Sequence, residues 1–330
     1  MSLSGAQKKG KKFLNPIPTD EAGFGKMIPI LKEYYYNKAE NTPKKQIGPF
    51  KTDTAIFDAP PSTGLRITLI GHSSLLIEID GKRILTDPVW SDRASFSSHF
   101  GPKRFFSPPL PLKELPPLDA IIISHDHYDH LDKDTIRFFA GKSIPFISPL
   151  GVCHHLEKWG IEKNYISELD WGDSVMIGGD CNVIATPSRH FSGRGITGRN
   201  ETLWASFVIR GHTHNIFFGA DSGWFPGFSE IGETFGPFDL TMLEIGAYGK
   251  YWPDIHMGPA NATNAHLALK GELMIPIHWG TFNLAPHAWY EPIELLLTYA
   301  GEKNIGLFVP EPGEPTEVGE YISGWWEKYR

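Results

Sequence analysis

The chain predicts an α/β (α+β) fold in which two packed β-sheets carry helices on their outer faces. Three observations predict it. The 330 residues are 41% hydrophobic, enough for a sizeable core. Apolar strand-like runs recur in two halves, each with several strands followed by helices. Four of those runs lead into a histidine or an aspartate, as strands feeding one shared site would.

Residues 1–62 read as an N-terminal extension, partly irregular. Pro16, Pro18, Pro43, Pro60 and Pro61 interrupt it, and only residues 26–37 read as helix. Its start is basic through Lys8, Lys9, Lys11 and Lys12. A solvated, disordered tail is the expectation, with contact to anionic lipid the alternative. The main domain is expected over residues 63–310. Ile67 and Leu69, then Leu75, Ile77 and Ile79, alternate as strands, Asp80-Gly81 signals a hairpin, and residues 83–86 return. Residues 91–117 form a long loop rich in Ser, Pro and aromatics, of the kind that shapes binding sites. An apolar strand follows at 119–124. Helices are then expected at 133–140, 151–159 and 260–269. Strands are expected at 144–148, 174–177, 182–186, 204–210, 215–219, 240–245 and 273–277. Residues 311–330 read as a C-terminal tail docking on the domain through Trp325 and Trp326.

Formal net charge is −7, from 38 acidic and 31 basic residues, which argues against a nucleic-acid partner. Cys153 and Cys181 do not make a disulfide framework and read as a reduced, intracellular setting. The expected location is cytoplasmic, with membrane association as the alternative, since no apolar run reaches 18 residues. Residues 1–13 lack the apolar segment of a secretory signal, and the opening Met1-Ser2-Leu3 leaves a replaced native leader open.

The most informative segment is Ser124-His-Asp-His-Tyr-Asp-His-Leu-Asp132. His125, His127, Asp129 and His130 fall within six residues at the end of an apolar strand. Imidazole and carboxylate suit zinc and related divalent ions. The spacing suggests two ions: His125 and His127 project from one side of an extended turn, and Asp129 and His130 follow where the chain curls. Further along, His190, Asp221 and His278 each follow a strand. Taken singly, His190 has a helix-cap or surface histidine as its rival, His278 a buried structural histidine, and Asp221 plain turn chemistry. His212-Thr-His214 sits at a hairpin turn away from these strand ends and is assigned no metal.

The motif resembles the His-x-His-x-Asp-His pattern of the metallo-β-lactamase-fold hydrolases. The resemblance implies an αββα sandwich of two mixed sheets. It implies one ion on His125, His127 and His190, a second on Asp129, His130 and His278, and Asp221 bridging them. Zinc is the expected ion, and iron and manganese also suit these ligands. Asp129 and Asp221 are the implied catalytic carboxylates. Asp87 is implied as a carboxylate that orients a ligand without touching metal, with Asp-Pro turn chemistry as its rival.

Finer phrases resemble the N-acylphosphatidylethanolamine-hydrolysing phospholipase D group. They include Gly71-His-Ser-Ser-Leu75, Leu85-Thr-Asp-Pro-Val-Trp90, Leu203-Trp-Ala-Ser206, Ile245-Gly-Ala-Tyr248 and Pro276-Ile-His-Trp-Gly-Thr281. Arg189-His-Phe-Ser-Gly-Arg-Gly195 resembles its bacterial branch more closely, and the likeness spans about residues 60–290. It implies phosphodiester hydrolysis by a metal-bridging hydroxide attacking phosphorus in line, leaving phosphatidic acid. Arg189 and Arg194 are candidates to pair the phosphate, with surface arginines as the rival reading. His256 is a candidate at the pocket rim, with a loop histidine as its rival. Phe96, Phe100, Phe105, Phe106, Trp224, Phe225 and Phe228 are loop aromatics expected near the site, either for peripheral membrane contact or for the core. The group also suggests a homodimer. Two other readings stand beside the phospholipid one. The same metals could act on a soluble phosphate ester or a lactone, or the chain could be a non-catalytic metal-dependent binding protein.

Overall fold

The computed structural model describes residues 4–21, 24–36, 38–195 and 197–330; residues 1–3 and Asn37, touched by the expectations above, lie outside the described residues. A two-stranded hairpin opens the chain, β1 (Lys8–Lys9) with β2 (Lys12–Phe13). This replaces the expected disordered tail. Phe13 is buried in the main core, its backbone N–H donates to Asn200 O at 2.8 Å, and the Lys8 ammonium lies 4.0 Å from its ring centroid. One aromatic anchor is enough to order a basic segment that composition alone assigns to solvent. Helix α1 (Met27–Tyr36) follows.

Alternating apolar residues build the first sheet. It contains β3 (Leu65–Gly71), β4 (Ser74–Ile79), β5 (Lys82–Thr86), β6 (Ala120–Ile122), β7 (Phe146–Pro149) and β8 (Ile166–Leu169) in sequence order, with the later β16 (Thr316–Glu317) beside β3. Pairing is antiparallel from β16 to β5 and parallel from β5 to β8. The second sheet begins with β9 (Ser174–Ile177), β10 (Cys181–Thr186), β11 (Ser206–Arg210) and β12 (Asn215–Phe218), which pair antiparallel. It continues in parallel through β13 (Phe238–Glu244), β14 (Gly271–Ile277), β15 (Gly306–Val309) and β17 (Tyr321–Ile322).

Period-two alternation then sorts the strands' side chains between layers. Ile67, Leu69, Leu75 and Ile77 of the first sheet meet Phe207, Phe218, Met242 and Ile275 of the second in one core. Leu76, Leu85 and Ile121 face outward, under α2 (Lys133–Phe139) and α3 (Cys153–Lys158). Val208, Phe217 and Met274 face the other way, under α4 (Gly227–Thr234), α5 (Gly258–Ala268) and α6 (Glu291–Lys303). The order is therefore helix, sheet, sheet, helix, an α/β fold with two mixed sheets.

The flanking segments pack on this frame. Trp325 and Trp326 are buried with Ile47 and Phe50 in the α4–α6 core, and the Trp326 indole donates to Glu294 Oε1 at 2.8 Å. Among the expected loop aromatics, Phe106, Phe225 and Phe228 are core residues, and Phe228 lies on α4; only Phe96, Phe100 and Trp224 are exposed. The His212–His214 turn is a clamp between hairpins: Asp80 accepts from the Thr213 and His214 backbone N–H groups and pairs with His214 Nδ1 at 2.8 Å.

Candidate metal centre

Four strand ends deliver the central residues. β6 opens into the turn holding His125 to His130, which is closed by Leu131 N–H donating to His127 O at 2.8 Å. Asp132 then caps α2 and accepts from the Ser91 hydroxyl at 2.9 Å, so the motif is fixed at both ends. β10 leads to His190, β12 to Asp221 and β14 to His278. Backbone φ is positive at His72, Asp87, Ala220, Ala247 and His278, at or beside the centre. Strained non-glycine residues of this kind persist only where their surroundings hold them.

The side chains form two adjoining groups. His125, His127, His190 and Asp221 make one, and His72, Asp129, His130 and His278 make the other; within each, one donor atom per residue lies within 4.8 Å of the rest. Asp221 sits between them. Its Oδ2 is 3.6 Å from His190 Nε2 and 3.2 Å from His278 Nε2, and its Oδ1 is 3.2 Å from His130 Nε2. Asp129 Oδ2 lies 3.4 Å from His278 Nε2.

These donors fit divalent metal. His127 Nε2, His130 Nε2, His278 Nε2 and Asp221 Oδ1 are buried with no hydrogen-bond partner in the protein. Imidazole nitrogens also converge, with His125 Nε2 2.9 Å and His190 Nε2 3.3 Å from His127 Nδ1. Orphaned polar atoms at this density are costly unless a cation organises them.

Electrostatics point the same way. Burial holds His125 and His190 well below the ordinary imidazole range, and His127 at about 4, so these rings are neutral and ready to ligate. Burial alone would raise Asp221, but His130 and His278 override it and hold its carboxyl well below the usual range. Burial likewise opposes charge on His278, yet Asp221 and Asp129 push it up to about 10.

Asp87 is fully buried behind this centre. Its carboxylate meets His130 Nδ1 at 2.7 Å and accepts from the Ser124 N–H and hydroxyl at 2.7 and 2.6 Å. It leaves His130 Nε2 facing Asp221.

The cavity above the centre has a volume of about 280 Å³. His127, Asp129, His190, Asp221, His256 and His278 line its polar side. Phe191, Trp252, Ile255 and Leu284 line an apolar side, and Glu21 and Arg199 complete it. His256 is thus in the cavity wall, and its Nδ1 lies 2.5 Å from buried Glu244 Oε2.

Neither arginine candidate for the phosphate lines this cavity. Arg189 donates to Thr19 Oγ1, Pro18 O and Trp224 O and pairs with Asp254 at 2.8 Å, so it pins the N-terminal segment. Arg194 donates to Asp126 O and Leu131 O at 2.7 Å and stacks on Tyr128, so it braces the histidine turn from behind. Arg189 is engaged through Nε, Nη1 and Nη2, and Arg194 is held through Nη1.

Several residues in or around the centre carry no motif. Asn15 clasps the His190 backbone, accepting from its N–H at 3.0 Å and donating to its O at 2.7 Å. Glu21 pairs with Arg199 at 3.1 Å across the cavity wall. Glu244 and His72 were both readable as a lone acid or histidine at a strand end, but neither spacing nor neighbours single them out.

Residues 82–279 match the family described as "Beta-lactamase superfamily domain". The chain is 48% identical over 268 residues to an uncharacterized protein of Mycobacterium tuberculosis (strain ATCC 25618 / H37Rv), covering 79% of this chain and 72% of that protein. It is 37% identical over 251 residues to N-acyl-phosphatidylethanolamine-hydrolyzing phospholipase D 1 of Caenorhabditis elegans, covering 72% and 70%. Igni18, a metallo hydrolase from Ignicoccus hospitalis, superposes with a TM-score of 0.60 at 22% identity, covering 77% of this chain and 98% of that one, a likeness of fold.

Proposed function

The chain belongs to the beta-lactamase superfamily domain family, as a metal-dependent hydrolase, and on that premise we propose a two-metal phosphodiesterase of phospholipase D type. Its substrate is N-acylphosphatidylethanolamine or a related phospholipid. One observation carries the reading: Asp221 lies within reach of both His/Asp groups, in a cavity that Phe191, Trp252, Ile255 and Leu284 also line. His125, His127 and His190 would hold one ion, Asp129, His130 and His278 the other, and Asp221 both. When bound, such ions, zinc first with iron or manganese as alternatives, supply positive charge for phosphoryl oxygens and make a water ionisable near neutral pH.

The chain's own residues do the rest. Asp129 and Asp221 supply the carboxylate oxygens on the cavity floor, where a nucleophilic water's proton can be accepted. Asp87 keeps His130 in one tautomer by accepting at Nδ1. Glu244 does the same for His256, whose Nε2 is left to the cavity to hydrogen-bond a substrate oxygen. Phe191, Trp252, Ile255 and Leu284 exclude water from one side and suit alkyl groups beside the phosphate. The name of the C. elegans relative supports the lipid substrate. A cavity of about 280 Å³ holds a headgroup rather than acyl chains, and this favours a soluble phosphate ester or lactone as the second reading.

The test is hydrolysis of N-acylphosphatidylethanolamine in mixed micelles, beside bis(p-nitrophenyl) phosphate, on protein of measured metal content. Phosphatidic acid release with about two ions bound is expected. Cleavage of the soluble diester alone would discard the lipid, and full activity in His127→Ala or Asp221→Asn would discard the two-metal centre.

A further inference from the structure

A second sizeable cavity lies outside the metal centre. It measures about 640 Å³ and is bounded by Tyr34, Lys44, Lys45, Lys103, Arg104 and Asn283 among others, with no Asp or Glu in its lining. Four cations on one cavity stand out in a chain of net charge −7. Lys45 and Lys103 make no ion pair among the described residues, and Lys44 pairs only with Glu40 at the surface. Arg104 is buried. One of its nitrogens donates to Val89 O at 3.1 Å, but Nε and Nη1 have no protein partner, and no carboxylate lies within 4 Å among the described residues. Asp92 and Asp132 act on this guanidinium only from beyond ion-pair distance, so its unmet N–H groups still favour an anion nearby.

The loop that supplies Gly101 and Pro102 also carries two exposed aromatics. Phe100 immediately precedes Gly101 and Pro102, which line the same cavity, and is 74% exposed; Phe96 on the same loop is 83% exposed. Phe96 also lies 6.4 Å from Tyr128, the neighbour of Asp129 in the histidine turn. On the other side, Asn283 lines the basic cavity and Leu284 the metal cavity, so consecutive residues border the two.

We propose that this basic cavity and the Phe96–Phe100 loop dock the protein on an acidic phospholipid surface, with the cavity receiving a headgroup phosphate. Phenylalanines seat in the interface while lysines meet the negative headgroups. The metal cavity then opens beside the lipid. The proposal takes its purpose from the lipid reading above, and its test is independent of turnover.

Metal-loaded, full-length protein is co-sedimented with phosphatidylcholine vesicles and with vesicles containing phosphatidylglycerol. Binding is expected to be about tenfold or more stronger with phosphatidylglycerol, to weaken in salt, and to fall about fivefold for each of Lys45→Gln and Lys103→Gln. Phe96→Ser with Phe100→Ser should weaken binding to either vesicle. All four positions are exposed, and unfolding midpoints and metal content check that each variant folds. Equal binding to the two vesicle types, or lysine variants that bind like the wild type, would overturn the proposal. So would a lysine-dependent rise in unfolding temperature with inorganic phosphate but no vesicle binding, which would make this a soluble-phosphate site. Docking on phosphatidylglycerol without hydrolysis of N-acylphosphatidylethanolamine defeats the catalytic reading alone. Hydrolysis in micelles without docking defeats this one alone.

Discussion

Replacing Asp87 with Asn changes almost no volume but removes the charge that His130 leans on. The carboxylate receives three short contacts, from His130 Nδ1 and from the Ser124 N–H and hydroxyl, and none of its surface reaches solvent. An amide keeps one acceptor oxygen and turns the other position into a donor, which then faces donors. Leaving one buried donor unmet costs about 1–3 kcal/mol of stability. The second effect falls on metal affinity. Partners that orient a ligating histidine are worth about 10–100-fold, or about 1.4–2.7 kcal/mol. Asp87→Asn is therefore expected to weaken binding at the His130 side by that factor, measured by competition with a chromophoric chelator. Chemical denaturation in chelator measures the stability loss separately. A variant that loses stability but binds metal within twofold of the wild type would refute the reasoning, and Asp87 would be a turn anchor at Asp87-Pro88 and nothing more.

Other outcomes follow from the same geometry. A Cβ on Gly246 would sit 2.2 Å from the His278 carbonyl oxygen; Gly246→Ala should displace His278 and lower metal stoichiometry by elemental analysis while leaving secondary structure by circular dichroism intact. Trp326 is fully buried, so Trp326→Ala should cost about 3–5 kcal/mol in denaturant unfolding. A smaller loss would mean that the C-terminal segment is dispensable to the core. Metal uptake should release protons: His278, raised to about 10, is protonated in metal-free protein at neutral pH and must be neutral to ligate. Apparent affinity should rise with pH between about 6 and 8, and calorimetric titrations in two buffers of different ionisation enthalpy should differ.

Much of the centre was legible because its residues obey a local rule. His125, His127, Asp129 and His130 are contiguous, and His190, Asp221 and His278 each close an apolar strand, so periodicity points to them. What escaped was held by distance instead. Asn15 meets His190 across 175 positions, and Glu21 meets Arg199 across 178, with nothing in either neighbourhood to announce it. Arg189 and Arg194 differ in the opposite direction, prominent in the sequence but outside the lining of the metal cavity. Their place beside His190 suggested phosphate, yet backbone carbonyls of the N-terminal segment and of the histidine turn occupy them. Helix α6 carries Pro292 and Glu291 in its first turn, but the unbroken run Leu295-Leu296-Leu297 gives no clear period.

The backbone bond from His278 N–H to His72 O, 3.0 Å long, joins the end of β14 to the turn between β3 and β4, and so stitches one sheet to the other at the centre. Ions held there would couple two otherwise separable layers into one cooperative unit. Amide hydrogen exchange should register this far from any ligand: stripping the metal should speed exchange together in the inner strands of both sheets, as one opening event rather than two.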